Sequence, residues 1–214
     1  MRIKRLPNIL QMLLPSAIWH VPLCPNKVFF TFDDGPDEIV TPQMLKLLQR
    51  HQAQASFFVL GEKAKRQPEL IKSIREKGHT IGLHSYLHLP LIFQSAATIF
   101  DQLALSKNVL QDLLGERIKY VRPPYGKAAG NFFRACRQLN LQIVMWNIMS
   151  YDFDLSFSDE QIYHLIDSQI RGGDLIVFHD GHKNSQRTVN ILGPIIDMVK
   201  QKNFQFAALE MGKK

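Results

Sequence analysis

Cysteine is scarce in this chain. Cys24 and Cys136 are the two in 214 residues, far apart and without C-x-x-C spacing, so neither a disulfide framework nor a cysteine zinc site is on offer. They read as two free, partly buried thiols. No apolar run is long enough to span a bilayer. No Gly-x-Gly-x-x-Gly turn follows the first apolar run, which takes weight from a dinucleotide-binding open sheet. The 26 Lys and Arg residues against 19 Asp and Glu give a net charge of +7. Yet the basic positions are scattered: Lys63, Lys65, Arg66, Lys72, Arg75 and Lys77, then Arg134, Arg137, Lys183 and Arg187. Without a tight basic block interleaved with aromatics, nucleic acid is not an expected partner. A solvated basic surface is the plain reading. No internal repeat, low-complexity tract or linker interrupts the chain.

The N-terminus is basic at Arg2, Lys4 and Arg5, and mostly apolar from Ile9 to Val21. Pro7, Asn8, Gln11, Pro15 and His20 break that run, and no small-x-small cleavage site follows, so it is a poor signal peptide. Residues 1–26 are expected to pack on the domain or touch a membrane surface, with 27–214 forming one domain. This places the protein in the cytoplasm or peripheral to the inner membrane face, and leaves secretion open.

What the chain does have is a globular composition, 45% hydrophobic and 21% charged, enough for one sizeable core. Short β-rich runs at 27–31, 55–59, 80–83, 118–121, 142–147, 174–178 and 204–207 alternate with helical patterns at 41–50, 61–77, 95–114, 130–140, 158–170 and 188–202. Ser158 and Gln161 have capping-box spacing, and Gly78 and Gly115 are helix stops. The alternation predicts an α/β fold with mostly parallel strands and helical crossovers. Strands apolar nearly throughout fit burial on both faces. An open doubly wound sheet and a barrel compete.

Chemistry-bearing residues gather just after the strands. Asp33 and Asp34 follow the first, His84 and His88 the third, and Arg122, Pro123, Pro124 and Tyr125 the fourth. Trp146 lies in the fifth with Asp152 beyond it, and His179 and Asp180 end the sixth. In α/β barrels the active site is built at that end of the strands. Adjacent carboxylates resist joint ionisation unless a cation or proton sits with them. His84 and His88, four apart, would point the same way on a helical turn. With one carboxylate they make a His₂Asp site with an open position, as a catalytic metal site requires. No Glu stands between the histidines to serve as base, so the spare aspartate is available to activate water. Arg122 could fix that aspartate bidentately, on a loop stiffened by Pro123 and Pro124. His179 ends a buried apolar strand, opposite the aspartate pair in strand order, and is the candidate general acid. Asp152 could pair with it and raise its pKa. Asp180, Asp154 and His182 compete more weakly for these roles. His20, His51, His79 and His164 read as structural.

At this point the chain resembles the polysaccharide deacetylases with a NodB homology domain, carbohydrate esterase family four, from about Lys27 to Phe206. Thr31-Phe32-Asp33-Asp34-Gly35-Pro36 is similar to that family's first motif, His84-Ser85-Tyr86-Leu87-His88 to its metal motif, Arg122-Pro123-Pro124-Tyr125-Gly126 to the third and Val177-Phe178-His179 to the last. Ala55–Gly61 and Gly78–Gly82 also look like family sequence. The resemblance implies a distorted (β/α)₇, TIM-like barrel. It implies one divalent ion, Zn²⁺ with Co²⁺, Ni²⁺ or Mn²⁺ as alternatives, on Asp34, His84 and His88. Asp33 becomes the base, Arg122 its orienting partner, His179 the acid tuned by Asp152, and the Tyr125 amide an oxyanion donor. Pro124, Trp146 and Val177 become substrate-side residues. The implied reaction is removal of an N-acetyl group from an amino sugar of a glycan, oligosaccharide or glycolipid.

Two departures stand out. Val177 replaces a common leucine that lines the acetyl pocket, and Met149 and Phe153 replace an aspartate and a tryptophan of the fourth motif. They point to altered acyl or sugar specificity. Rival readings keep the site for an O-acetyl ester or a cyclic amide, or keep only a non-catalytic carbohydrate-binding barrel.

Overall fold

The structure, a computed structural model, describes residues 14–209. Eight strands and seven α-helices alternate along them. They run β1 (Lys27–Asp33), α1 (Val40–Arg50), β2 (Ala55–Val59), α2 (Gly61–Arg66), α3 (Pro68–Glu76), β3 (Thr80–Leu83), α4 (Ala96–Leu114), β4 (Tyr120–Val121), α5 (Gly130–Gln138), β5 (Gln142–Ile143), β6 (Ile148–Met149), α6 (Asp159–Gln169), β7 (Leu175–His179), α7 (Ser185–Gln201) and β8 (Gln205–Phe206). All named pairings are parallel. The strand order is β5-β4-β3-β2-β1-β7-β6, with β8 beside the start of β1.

The sheet curls into an incompletely closed barrel, because β5 and β6, at the two ends of that order, do not pair with each other. Residues 18–21 bridge from the β5 end to the entry of β7. Ile18 donates to the Ile143 carbonyl at 2.9 Å and accepts from Met145 at 2.8 Å, and Val21 donates to the Gly173 carbonyl at 2.9 Å. Of the N-terminal segment, residues 1–13 lie outside the described residues. No helix among those described is long and apolar enough to cross a membrane.

Alternation along β1 separates two environments. Val28, Phe30 and Phe32 are fully buried, and the Phe32 ring stacks on Phe57 at 5.0 Å while Phe30 meets Phe178 at 5.1 Å. The alternate face carries Thr31 and Asp33, both held by Arg122. Such period-two division is what a strand with two covered faces allows.

Three expectations are corrected. The helix expected over 61–77 is two helices, broken where Pro68 lacks an N–H and disfavours helical geometry at Gln67 (φ −130°, ψ 59°). The strand expected over 142–147 stops at Ile143, and a separate β6 pairs with β7. The reason is long-range: the carbonyls of Val144 and Met145 accept from Arg122 Nε at 3.3 Å and Nη2 at 2.8 Å. Trp146 therefore lies between strands, not in one.

Candidate active site

The C-terminal ends of β1, β3, β4 and β7 meet around one cleft of about 600 Å³. Asp33 closes β1, and its Cα pairs in register with that of His179 on the neighbouring β7. The two are thus adjacent, not opposite, in strand order. Asp34 turns away at φ 72°, a left-handed conformation that costs a residue with a Cβ roughly 1–2 kcal/mol. Ser85 (φ 70°), His88 (φ 56°) and Tyr125 (φ 58°) share it. Strain of this kind persists where surrounding contacts over-determine the backbone.

Asp34, His84 and His88 bring one ligand atom each to within 4.8 Å of one another, the one such cluster among the described residues. Asp34 Oδ1 lies 3.5 Å from His84 Nε2 and 3.1 Å from His88 Nε2, yet it is buried and takes no well-directed hydrogen bond. His84 Nδ1 faces the Arg122 carbonyl at 2.9 Å. A carbonyl can only accept, so Nδ1 carries the proton and Nε2 presents its lone pair, the tautomer a metal ligand needs. Burial pushes the His84 pKa down, in favour of the neutral ring, while Asp33 and Asp34 oppose it. Burial alone would raise the Asp34 pKa, but His88, His84 and His179 outweigh it and hold the carboxyl well below the usual range. An orphaned buried carboxylate oxygen facing two imidazole nitrogens fits a divalent ion of borderline softness. The helical turn expected to converge the histidines is not there. Residues 84–90 are irregular, and the left-handed steps at Ser85 and His88 aim the rings instead.

Asp33 is held differently. Arg122 Nη1 donates to Asp33 Oδ1 and to Thr31 Oγ1, each at 2.7 Å. The pairing is through one nitrogen and not the expected bidentate fork, because Nε and Nη2 serve the 144 and 145 carbonyls. The Arg122 guanidinium is fully buried and lies 4.1 Å from the Phe58 ring centroid. Burial pushes its pKa down and Asp33 opposes that.

His179 is fixed by Asp152, whose Oδ1 is 2.8 Å from His179 Nδ1 and whose Oδ2 accepts from the His179 main chain at 2.8 Å. Ser150 and Thr188 hydroxyls donate to the same carboxylate at 2.8 and 2.7 Å. Burial would lower the His179 pKa, but Asp152 overrides it and raises the ring to about 9. Asp180 is buried, accepts from the Thr41 hydroxyl at 2.6 Å, and is pushed up to about 7, chiefly by burial.

Of the other expected site residues, Tyr125, Trp146 and Val177 line the cleft, as do Met149 and Phe153. Gly126 lies so close to Trp146 that a Cβ would sit 2.5 Å from its ring. Pro124 is buried and does not line the cleft. Arg122 and Asp152 stand behind the groups they hold. Sequence reasoning missed Thr31 and Thr188 as partners, and it treated Lys63 as a solvated base. Lys63 instead lines the cleft and donates to two main-chain carbonyls.

The family model described as polysaccharide deacetylase matches residues 20–144. The chain belongs to the polysaccharide deacetylase family. Among its relatives, a peptidoglycan-N-acetylglucosamine deacetylase of Bacillus cereus is 32% identical over 183 residues, 86% of this chain and 66% of that protein. A second of that name and organism is 30% identical over 89% of this chain and 90% of the relative. The crystal structure of the Bc1960 peptidoglycan N-acetylglucosamine deacetylase superposes with a TM-score of 0.84 at 32% identity, covering 91% of each chain. BA3943 from Bacillus anthracis, described as a CE4 family pseudoenzyme, superposes at 0.82 with 20% identity over 94% of this chain and 69% of its own.

Proposed function

We propose that this chain is a metal-dependent hydrolase that removes N-acetyl groups from an amino sugar. The relatives' names, covering peptidoglycan N-acetylglucosamine, peptidoglycan N-acetylmuramic acid and chitooligosaccharide deacetylases, support an acetylated glycan or oligosaccharide as substrate. One observation carries the reading. A three-residue ligand set, an Arg-held aspartate and an Asp-held histidine line up around a single cleft.

Asp34, His84 and His88 would hold the ion, with zinc favoured by two imidazoles and one carboxylate. When bound, it would supply Lewis acidity toward water and the acyl oxygen. Asp33, fixed by Arg122, takes a proton from the attacking water. The water oxygen bonds to the acetyl carbon while the Tyr125 main-chain N–H donates to the oxygen that gains charge. His179, kept protonated by Asp152, gives its proton to the leaving nitrogen as the C–N bond breaks. The products are acetate and a free amine. Trp146, against Gly126, walls the sugar side, and Val177 and Met149 shape the acyl end.

The test is metal content followed by acetate release from chitooligosaccharides, peptidoglycan fragments and O-acetylated sugars. The expected result is one ion per chain and acetate from N-acetylated substrates. Stoichiometric metal with no product across the panel would refute the proposal.

A further inference from the structure

Lys63 is spent inside the protein. Its Nζ donates to the Asp34 carbonyl and to the Gly181 carbonyl, each at 2.9 Å. The first belongs to the loop after β1 and the second to the loop that follows His179 at the end of β7. These loops touch closely: a Cβ on Gly181 would fall 1.9 Å from the Asp34 carbonyl oxygen. Three successive carbonyls of the β1 loop are held in place. Asp33 accepts from the Asp180 main chain at 3.0 Å and Gly35 from Leu60 at 2.9 Å. Only the middle one, at Asp34, is held by a side chain. That residue is also the one in the left-handed region, where the backbone depends on its neighbours to stay put.

We propose that Lys63 is a positioning residue that staples the Asp34 loop to the Gly181 loop, just beyond His179, and so fixes the ligand set relative to the acid. This rests on the reading of Asp34, His84 and His88 as ligands. The sign of its effect separates a staple from simple electrostatics. Lys63 lines the cleft, so deleting its charge would by itself favour a bound cation. A staple demands the reverse, because loosening Asp34 weakens the ion. Losing a partner that orients a metal ligand costs about 10–100-fold in affinity or activity.

The full chain and its Lys63→Met and Lys63→Arg variants are stripped of metal and titrated with Zn²⁺ against a chromophoric chelator. Acetate release is then measured at saturating zinc. Lys63→Met is expected to bind zinc about 10–100-fold more weakly and to lose kcat with KM little changed. Lys63→Arg should recover most of both, since a guanidinium can donate to two carbonyls at once. Zinc binding by Lys63→Met as tight as wild type, or tighter, overturns the staple. So does a loss confined to KM, which would make Lys63 a substrate contact. If Lys63→Met does not fold, Lys63→Gln replaces it, with weakened zinc binding in support and unchanged binding against. A wild type that takes up no zinc overturns the functional reading together with this one. That result is distinct from a wild type and variant that bind alike.

Discussion

Asp33 and Asp34 are neighbours in sequence and strangers in environment. Asp33 points to the alternate face of β1 beside Thr31 and is held by a buried cation. Asp34 breaks from the strand at φ 72° and faces two imidazole nitrogens. Substituting each should therefore fail differently. Asp34→Ala and His88→Ala should abolish metal uptake, read by elemental analysis of purified protein, and a full metal complement in either would reject the ligand set. Asp33→Asn should keep its metal and lose turnover by at least about 100-fold, the scale of general acid–base catalysis. An unchanged kcat would reject Asp33 as base. The acid is open to a pH test. His179 is raised to about 9, so it holds its proton at neutral pH and the rate should fall as pH rises through that value. Asp152→Asn removes the attraction that overrides burial, so the alkaline limb of the kcat profile should move to lower pH. A limb that stays put would detach His179 from it. The same pair couples to stability. The contribution from His179 is complete below the ordinary imidazole value of 6.5 and is lost as pH climbs through about 9. That from Asp152, whose pKa is lowered against the pull of burial, is lost as pH falls below the ordinary carboxylate value.

At the scale of elements, local signals were readable and distant demands were not. The α6 start was legible because its cause lies within four residues. Ser158 Oγ accepts from Gln161 N at 3.2 Å while Gln161 Oε1 accepts from Ser158 N at 2.8 Å. Ser158→Ala should cost about 1 kcal/mol, lowering Tm by roughly 2–4 °C in a chain of this size and leaving acetate release unchanged. A larger loss or a fall in activity would mean α6 does more than cover the barrel. The ends of β1, β3 and β7 bring Asp33 and Asp34, His84 and His88, and His179 to one side because the βα alternation fixes which ends share a face. The break between β5 and β6 had no such local mark. Val144-Met145 is as apolar as any strand, yet no regular strand continues through it, and its carbonyls accept from the Arg122 guanidinium just beyond β4. Lys63 was unreadable for the same reason. Nothing near it in sequence says that its amine reaches a carbonyl 29 residues upstream and another 118 residues downstream. Pro68, by contrast, was a local signal, and the expectation of one helix over 61–77 set it aside.

For the whole molecule, the proposed ligand set would be a cross-link as well as a catalytic site. Asp34 leaves the end of β1, and His84 and His88 leave the end of β3, with β2 between them in the sheet. An ion on all three would tie the rim of a barrel that strand pairing leaves open between β5 and β6. The unfolded chain has no such preformed set, so metal binding must appear as folding stability. At a free zinc concentration 100 times Kd the gain is about 2.7 kcal/mol, equivalent to a Tm rise of roughly 5–10 °C. Differential scanning calorimetry of the metal-stripped chain with and without zinc should show that rise, and excess chelator should reverse it. Asp34→Ala should lose the rise, because two imidazoles without the carboxylate lack the charge that favours the cation. Asp33→Asn should keep it, because its side chain answers to Arg122 and not to the metal. A zinc-induced rise that survives in Asp34→Ala would place the stabilising ion elsewhere and dissolve the link between this cleft and the barrel's stability.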